Sequence, residues 1–224
     1  VMNQQREVIY DQRRKILLGE NLYENIIEMV KRIIDSQMDR YANEKLYPEE
    51  WTLDGLIQEA EDIYAPKGTL VKEQLEAMSR DELKETLYKI AKDNYDNREK
   101  LFGSEVMRDL ERIIMLKVVD NKWMEHLDHM DMLREGISLR AYGQRNPLVE
   151  YKIEGHDMFQ AMIDNIQEDI AKLMYRVNVV REQPLMHRHL LEPPLHSFQV
   201  DVGVPILVEV GILALVLEAF IDRE

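Results

Sequence analysis

Two long apolar stripes at helical spacing, separated by one short loop, constrain the fold of this chain more than any other feature. Each stripe has apolar residues at helical intervals, which predicts a helix with one buried face. The first stripe ends at Ile137 and the second helix begins near Pro147, so the short connection forces an antiparallel hairpin. At about 1.5 Å per residue, roughly 30 residues make an arm about 45 Å long. The stripes consist of Leu116, Val119, Trp123, Leu127, Met130, Leu133 and Ile137, and of Phe159, Met162, Ile163, Ile166, Ile170, Leu173, Met174 and Val177.

The loop that joins the stripes is basic and carries one aromatic residue. Tyr142 is flanked by Arg140 and Arg145, in a chain whose formal net charge is −14. Tyrosine offers apolar area at little entropic cost and arginine pairs in several geometries, so this tip suits contact with a partner. A solvated turn whose tyrosine packs back on the arm fits the same residues. Composition alone does not decide between the two interpretations.

Composition favours an all-α protein. Only 9 of the 224 residues are glycine, and helix-favouring residues are abundant. With 29 basic against 43 acidic residues, the chain lacks the basic surface that non-specific nucleic-acid binding needs. It has no cysteine, which excludes disulfides and thiolate zinc sites and fits a reducing cytoplasmic setting.

The N-terminal segment shows apolar residues every seven positions from Met2 onwards. This spacing predicts one long helix from near residue 1 to about 40, kinked or divided at Gly19. The pattern starts without a capping residue, so we expect the chain to be a piece of a longer protein.

The middle segment, about 43–103, is predicted to be a small helical subdomain inserted between longer helices. Pro48 interrupts the preceding pattern, and residues 53–64 read as a short helix. Ser79 and Glu82 fit a capping box that begins the next helix.

The tail changes character after Val180. Prolines interrupt a histidine-bearing stretch, and residues 202–217 are almost wholly apolar. Glu209 and Pro205 make this run a poor transmembrane helix, so we expect an irregular tail over 179–224, disordered or foreign. A strand pair or an interfacial segment are the alternatives.

Candidate chemistry within the helices is sparse. His126 and His129 lie three residues apart, but neither helical zinc motif is complete, so we interpret both as part of a solvated polar face. Trp123 falls in the apolar stripe and is interpreted as core packing. No phosphate-binding loop and no nucleophile with a matching base is present, so the chain shows no active site of its own.

Three stretches carry a long and specific pattern: VMNQQREVIYDQRRKIL, VVDNKWMEHLDHMDMLREGISLRAYGQRNPLVEYK and MFQAMIDNIQEDIAKLM. Together they resemble the C-terminal part of SecA, the ATPase motor of bacterial preprotein translocation, over roughly residues 1–178. The resemblance implies a scaffold helix over 1–42, a helical wing over 43–103, and the scaffold continuation with its two-helix finger over 104–178.

The resemblance also implies roles for residues of the hairpin. Tyr142 matches the fingertip tyrosine that contacts the translocating polypeptide. Three further loop residues would approach the channel: Arg140, Gln144 and Arg145. Three stripe residues would pack the finger: Trp123, Leu127 and Met130.

The partners implied by the resemblance are the SecYEG channel, an unfolded preprotein, an acidic lipid surface and the upstream nucleotide-binding domains of the same protein. No nucleic acid is expected, and the full-length protein would be a homodimer. ATP and Mg would belong to the full-length protein, located in the cytoplasm and peripherally on the inner face of the cell membrane. The zinc module that often serves SecB has no counterpart in this cysteine-free chain.

The function expected from the resemblance is coupling of ATPase state to polypeptide movement through the finger. Two alternatives stay open. One is a structural or ATPase-restraining helical module. The other is a metal-dependent enzyme built on His126 and His129.

Overall fold

The computed structural model describes the backbone of residues 1–140, 146–181, 197–201 and 205–209, and the side chains of 1–137 and 146–177. In these ranges residues 1–177 are helical, which confirms the all-α prediction for this part of the chain. The α-helices are α1 Met2–Leu18, α2 Leu22–Tyr41, α3 Leu53–Ile63, α4 Lys72–Leu75, α5 Arg80–Phe102, α6 Ser104–Arg140 and α7 Pro147–Arg176, with a 3-10 turn at Pro48–Glu50. None of these helices is both long and apolar enough to cross a bilayer.

The predicted N-terminal helix is divided into α1 and α2. Gly19 ends α1 in the left-handed region, with φ 70°, and its N–H donates to the Ile16 carbonyl. Asn21 follows with φ 50°, which completes the break before α2. The division at Gly19, one of the two outcomes predicted there, is therefore observed, and the segment to about residue 40 forms two helices instead of one kinked helix. Heptad spacing continues across the break, but the left-handed glycine caps α1 and stops it there.

Helix α2, which precedes the middle segment, packs antiparallel to α5 within it. The Tyr23 hydroxyl donates to Asp96 at 2.8 Å near one end of the pair, and Arg80 Nη2 lies 2.8 Å from an Asp39 oxygen near the other. At the start of α5 the predicted capping box is confirmed. Ser79 N–H donates to Glu82 Oε2 at 2.8 Å, and the Ser79 hydroxyl oxygen accepts from the Glu82 N–H.

Loss of this cap has a measurable cost. We expect Ser79→Ala to lower the free energy of unfolding by about 1 kcal/mol, because the Glu82 N–H loses the hydroxyl oxygen that accepts its hydrogen bond. Ser36, an exposed serine within α2, supplies the matched control, and Ser36→Ala should change stability by less than about 0.5 kcal/mol. Urea unfolding followed by circular dichroism measures both variants. Equal effects of the two substitutions would contradict the role of the cap.

Four tyrosines form the centre of the helical core. Tyr95 on α5 lies edge-on to Tyr23 of α2 and to Tyr175 of α7, each with ring centroids 5.6 Å apart. Tyr175 in turn meets Tyr64, just after α3, at 6.5 Å. Because aromatic pairs of this geometry add to the energy of burial, the cluster joins the helices that it connects.

The described parts of the tail contain strands, which corrects the prediction of an irregular course there. β1 Asn178–Arg181, β2 Ser197–Asp201 and β3 Pro205–Glu209 form an antiparallel sheet in that order. Val179 pairs with Val200, and Gln199 pairs with Leu207. Val179 and Val200 are β-branched, and β-branched residues favour strands. Residues 176–224 form a compact unit of their own, separate from 1–175.

Candidate functional site

The central feature of the helical unit is an arm made by α6 and α7, which run antiparallel as the two stripes predict. Lys122 Nζ lies 3.0 Å from Asp169 Oδ2, and the rings of His126 and Phe159 are 5.6 Å apart. Towards the connecting loop, Gly155 and Met130 are in close contact. Residue numbers rise along α6 as they fall along α7, which defines the antiparallel order. The 37 residues of α6 give a length of about 55 Å.

Helix α1 docks along this arm and runs antiparallel to α6. Arg13 Nε donates to Asp120 Oδ1 at 2.9 Å, and two turns earlier Gln5 contacts His126. At the end of α1, Gly19 lies close to the Arg112 guanidinium. The buried face of α1 contains Gln5, Ile9 and Ile16. The arm is therefore held over much of the length of α1 by both apolar and polar contacts.

The sequence-predicted finger residues fall into two groups. Trp123 and Met130 are buried, with 7% and 1% of their surface exposed, and Leu127 is half-buried. The loop residues Tyr142, Gln144 and Arg145 lie outside the described residues. Arg140 ends α6, but its side chain is also outside the described part. The roles assigned to the tip thus stay predictions.

His126 does not belong to a solvated polar face, and that interpretation is wrong for this residue. It is only 2% exposed, although His129 is exposed as expected. The reason is its position three residues after Trp123 and four before Met130, which places it on the buried face of α6. The sequence feature that could have indicated this burial is the position of His126 within the apolar stripe of α6. In the described ranges, no group of three or more His, Asp or Glu side chains is placed to hold a metal ion.

Glu111 is a second buried polar residue that sequence reasoning missed. The Tyr95 hydroxyl donates to Glu111 Oε1 at 2.5 Å, and Arg108 Nη2 lies 3.1 Å from the same oxygen. The other carboxyl oxygen, Oε2, is buried and has no hydrogen-bond partner among the described residues. The position is in register with the apolar face of α6, which is the only sequence sign of its burial.

Burial raises the pKa of Glu111 to about 7, because desolvation disfavours the carboxylate. The hydrogen bond from Tyr95 and the charge of Arg108 oppose this shift, while the nearby carboxylates Glu99 and Glu24 add to it. Glu111 therefore exchanges a proton near neutral pH within the contact between α5 and α6.

The helical unit of the chain is similar to known proteins. A family model for the SecA wing and scaffold domain matches residues 1–178. The chain is 54% identical over 183 residues to the protein translocase subunit SecA of Pelotomaculum thermopropionicum, covering 82% of this chain and 21% of that protein. It is 47% identical over 192 residues to the subunit of Desulforamulus reducens, covering 86% and 22%. With that of Acetivibrio thermocellus it shares 42% over 209 residues, covering 92% and 23%.

A helical scaffold that carries a docked two-helix arm is the class of protein that the fold and this site define. The chain belongs to the SecA family and contains its wing and scaffold domain. It spans about a fifth of the length of the curated relatives it matches. The match with the Acetivibrio thermocellus protein covers more of the chain than residues 1–178 can supply, so it extends into the tail.

Proposed function

We propose that the chain is the wing-and-scaffold part of a preprotein-translocating motor, and that the α6–α7 arm acts as its two-helix finger. The observation that carries this proposal is the arm itself, an antiparallel pair of long helices docked on α1 by buried contacts. In this function, the arm passes movements of upstream nucleotide-binding domains, which would hold ATP and Mg, to a polypeptide at its tip.

The end of the arm nearest the loop supports contact with a partner. Four large apolar side chains there are about half or more exposed: Met132 at 62%, Leu148 at 61%, Val149 at 48% and Ile153 at 54%. Exposed apolar residues grouped at one place are typical of interaction surfaces. With Tyr142 and the neighbouring arginines, they suit a partner that is itself apolar and acidic in places. The proposed partners are an unfolded preprotein and the SecYEG channel.

The proposed partners also imply a cellular location for the protein. A motor that works on a membrane channel is expected peripherally on the inner face of the cell membrane, and basic residues of the loop favour an acidic lipid surface. Tyr142 would hold polypeptide by contacts that any passing sequence can make, because an aromatic ring offers area without requiring a particular partner.

A chimera tests the proposal. Residues 1–178 replace the corresponding segment of the Pelotomaculum thermopropionicum SecA, and preprotein transport and ATPase activity are measured with SecYEG in vesicles. We expect transport by the chimera. Tyr142→Ala should reduce it about tenfold or more while ATPase activity without preprotein persists, because truncating a contacting tyrosine removes about 1–2 kcal/mol or more.

The matched control is Tyr10→Ala on α1, since Tyr10 is 57% exposed and lies away from the loop. This variant should transport at the rate of the parent chimera. Unchanged transport by Tyr142→Ala would exclude the gripping role. A chimera that hydrolyses ATP but transports nothing would exclude the finger function of this arm.

A further inference from the structure

A short loop after α2 keeps two large apolar side chains in solvent. Residues 43–50, which we call the 43–50 loop, lead from α2 towards α3 and include the 3-10 turn. Within the loop, Tyr47 is 74% exposed and Leu46 is 42% exposed. Tyr47 is thus more exposed than Tyr10 on α1, which is 57% exposed. An aromatic residue and a leucine at successive positions form a small apolar surface that the described part of the chain leaves uncovered.

Hydrogen bonds fix the first half of the 43–50 loop. Arg80, the first residue of α5, donates from Nε to the Ala42 carbonyl at 2.9 Å. Asn43 Oδ1 accepts from the Lys45 N–H at 2.9 Å, and the Leu46 N–H donates to the Asn43 carbonyl at 3.1 Å. The main chain that presents Leu46 is therefore held by α5 and by its own turn.

The second half of the loop is fixed in the same way. The Tyr47 N–H donates to Glu50 Oε2 at 3.0 Å, and the Glu50 N–H donates back to the Tyr47 carbonyl at 2.8 Å. Pro48 restrains the backbone between them. Just beyond, the Thr52 N–H donates to the Tyr41 carbonyl at 2.9 Å. The loop is thus ordered before a partner arrives, which lowers the entropic cost of binding.

The rim of this apolar surface is acidic. The 43–50 loop contains three carboxylates, Glu44, Glu49 and Glu50, against one basic residue, Lys45, and all four side chains are exposed. Arg80 Nη1 lies 2.9 Å from Glu44 Oε1 and neutralises that carboxylate in part. Glu49 has no ion pair among the described residues. A positively charged group is therefore favoured beside Tyr47.

The chemistry of the 43–50 loop defines the kind of partner that fits it. Carboxylates attract lysine or arginine, and the face of an aromatic ring such as Tyr47 attracts the same cations. A rigidly presented tyrosine is typical of residues that dominate binding, and it requires apolar area on the partner. The matching partner has a basic residue next to an apolar one. An unfolded polypeptide exposes such pairs, because no core of its own covers the apolar side chains.

We propose that the 43–50 loop is a second polypeptide-binding surface, which holds extended segments of an unfolded preprotein where a basic residue adjoins an apolar one. The choice of a preprotein as the occupant rests on the proposed function, whereas affinity for such segments is a property of the loop. The tip of the arm carries Arg140 and Arg145 and favours acidic segments. The two surfaces therefore select segments of opposite charge from one passing chain.

Peptide binding to the 224-residue chain tests the proposal. The probe is a short fluorescein-labelled peptide with Lys-Phe-Lys-Leu in a Gly-Ser background, and binding is measured by fluorescence anisotropy. We expect Tyr47→Ala to weaken binding about tenfold, because truncating a central tyrosine removes about 1–2 kcal/mol. Tyr10→Ala and Tyr142→Ala should bind like the parent. A peptide with Lys-Ser-Lys-Ser in place of the probe sequence should bind about tenfold more weakly than the probe, since it lacks the apolar part.

Charge reversal tests the acidic rim separately. Glu49→Lys should weaken binding of the Lys-Phe-Lys-Leu peptide about fivefold, because it replaces an attraction by a repulsion at an exposed site. Glu7→Lys on α1 changes the net charge equally at another exposed position and should match the parent. At about 0.5 M salt the difference between these two variants should largely disappear.

Parent-like peptide binding by Tyr47→Ala would overturn the proposal, as would equal effects of Glu49→Lys and Glu7→Lys. Circular dichroism checks that each variant folds. If Tyr47→Ala does not fold, Glu49→Lys carries the test alone, since Glu49 has no ion pair to lose in the described ranges.

The chimera identifies the occupant and separates this proposal from the finger function. In the chimera, Tyr47→Ala should raise the preprotein concentration that gives half-maximal transport and leave the maximal rate unchanged, as expected for a residue that only binds. An unchanged concentration dependence would mean that another part of the motor covers the loop, and the preprotein assignment would be wrong. Parent-like transport by Tyr142→Ala removes the gripping role of the finger but does not alter the peptide affinities of Tyr47→Ala and Tyr10→Ala.

Discussion

Replacing Tyr95 with alanine lowers the free energy of unfolding by about 3–5 kcal/mol, the range found for removing a large aromatic side chain from a core. Tyr95 is fully buried, and its ring contacts Tyr23 on one side and Tyr175 on the other. The substitution leaves a cavity between three helices and removes the donor to Glu111. Urea unfolding at pH 8, followed by circular dichroism, measures the loss.

Two variants separate the ring from its hydroxyl group. Tyr95→Phe keeps the packing and should cost about 1–3 kcal/mol, because the buried Glu111 carboxylate loses a hydrogen bond. Tyr10→Ala removes an exposed tyrosine and should cost less than about 0.5 kcal/mol. An effect of Tyr95→Ala no larger than that of Tyr10→Ala would show that the tyrosine cluster does not hold the helices together.

Glu111 should make the unfolding free energy fall as pH rises from about 4.5 to about 7. Its pKa is raised from 4.5 when unfolded to about 7 when folded, so the folded state binds more protons in this interval. The contribution is fully present below pH 4.5 and lost as pH passes 7. A shift of this size corresponds to roughly 3 to 3.5 kcal/mol. Glu111→Gln cannot ionise and should remove this part of the pH dependence.

The measurement is the difference in unfolding free energy between parent and variant at several pH values. As pH rises to 8, the unfolding free energy of Glu111→Gln should increase relative to that of the parent, because only the parent then buries a carboxylate. Glu105→Gln, an exposed position in the first turn of the same helix, should give a constant difference. A constant difference for Glu111→Gln as well would contradict the assigned pKa.

The pH dependence of Glu111 is opposed by that of His126. The pKa of His126 is lowered in the folded state, so the unfolded chain binds more protons as pH falls below about 6.5. Stability from neutral His126 is therefore present above that pH and decreases below it. The two buried groups act in opposite directions, which is why each has to be measured as a difference between variant and parent.

Local patterns predicted several elements well. The short helix predicted over 53–64 is observed as Leu53–Ile63, and the Ser79–Glu82 capping box begins α5 as expected. These features depend on residues a few positions apart, whose interactions the sequence displays directly. The sequence indicated a kink or a division at Gly19 but did not decide between them, because heptad spacing runs through the position and only the left-handed backbone ends the helix.

The sequence by itself determined the helical class, the antiparallel arm and the resemblance to the SecA family, because periodicity and motif spacing are properties of neighbouring residues. Tertiary structure alone determined which polar residues are buried and which partners they contact. His126 and Gln5 are 121 positions apart, and Gln5 and Gly155 are 150 apart. A polar side chain enters a core only when its partners arrive there too, and folding brings those partners from distant parts of the chain.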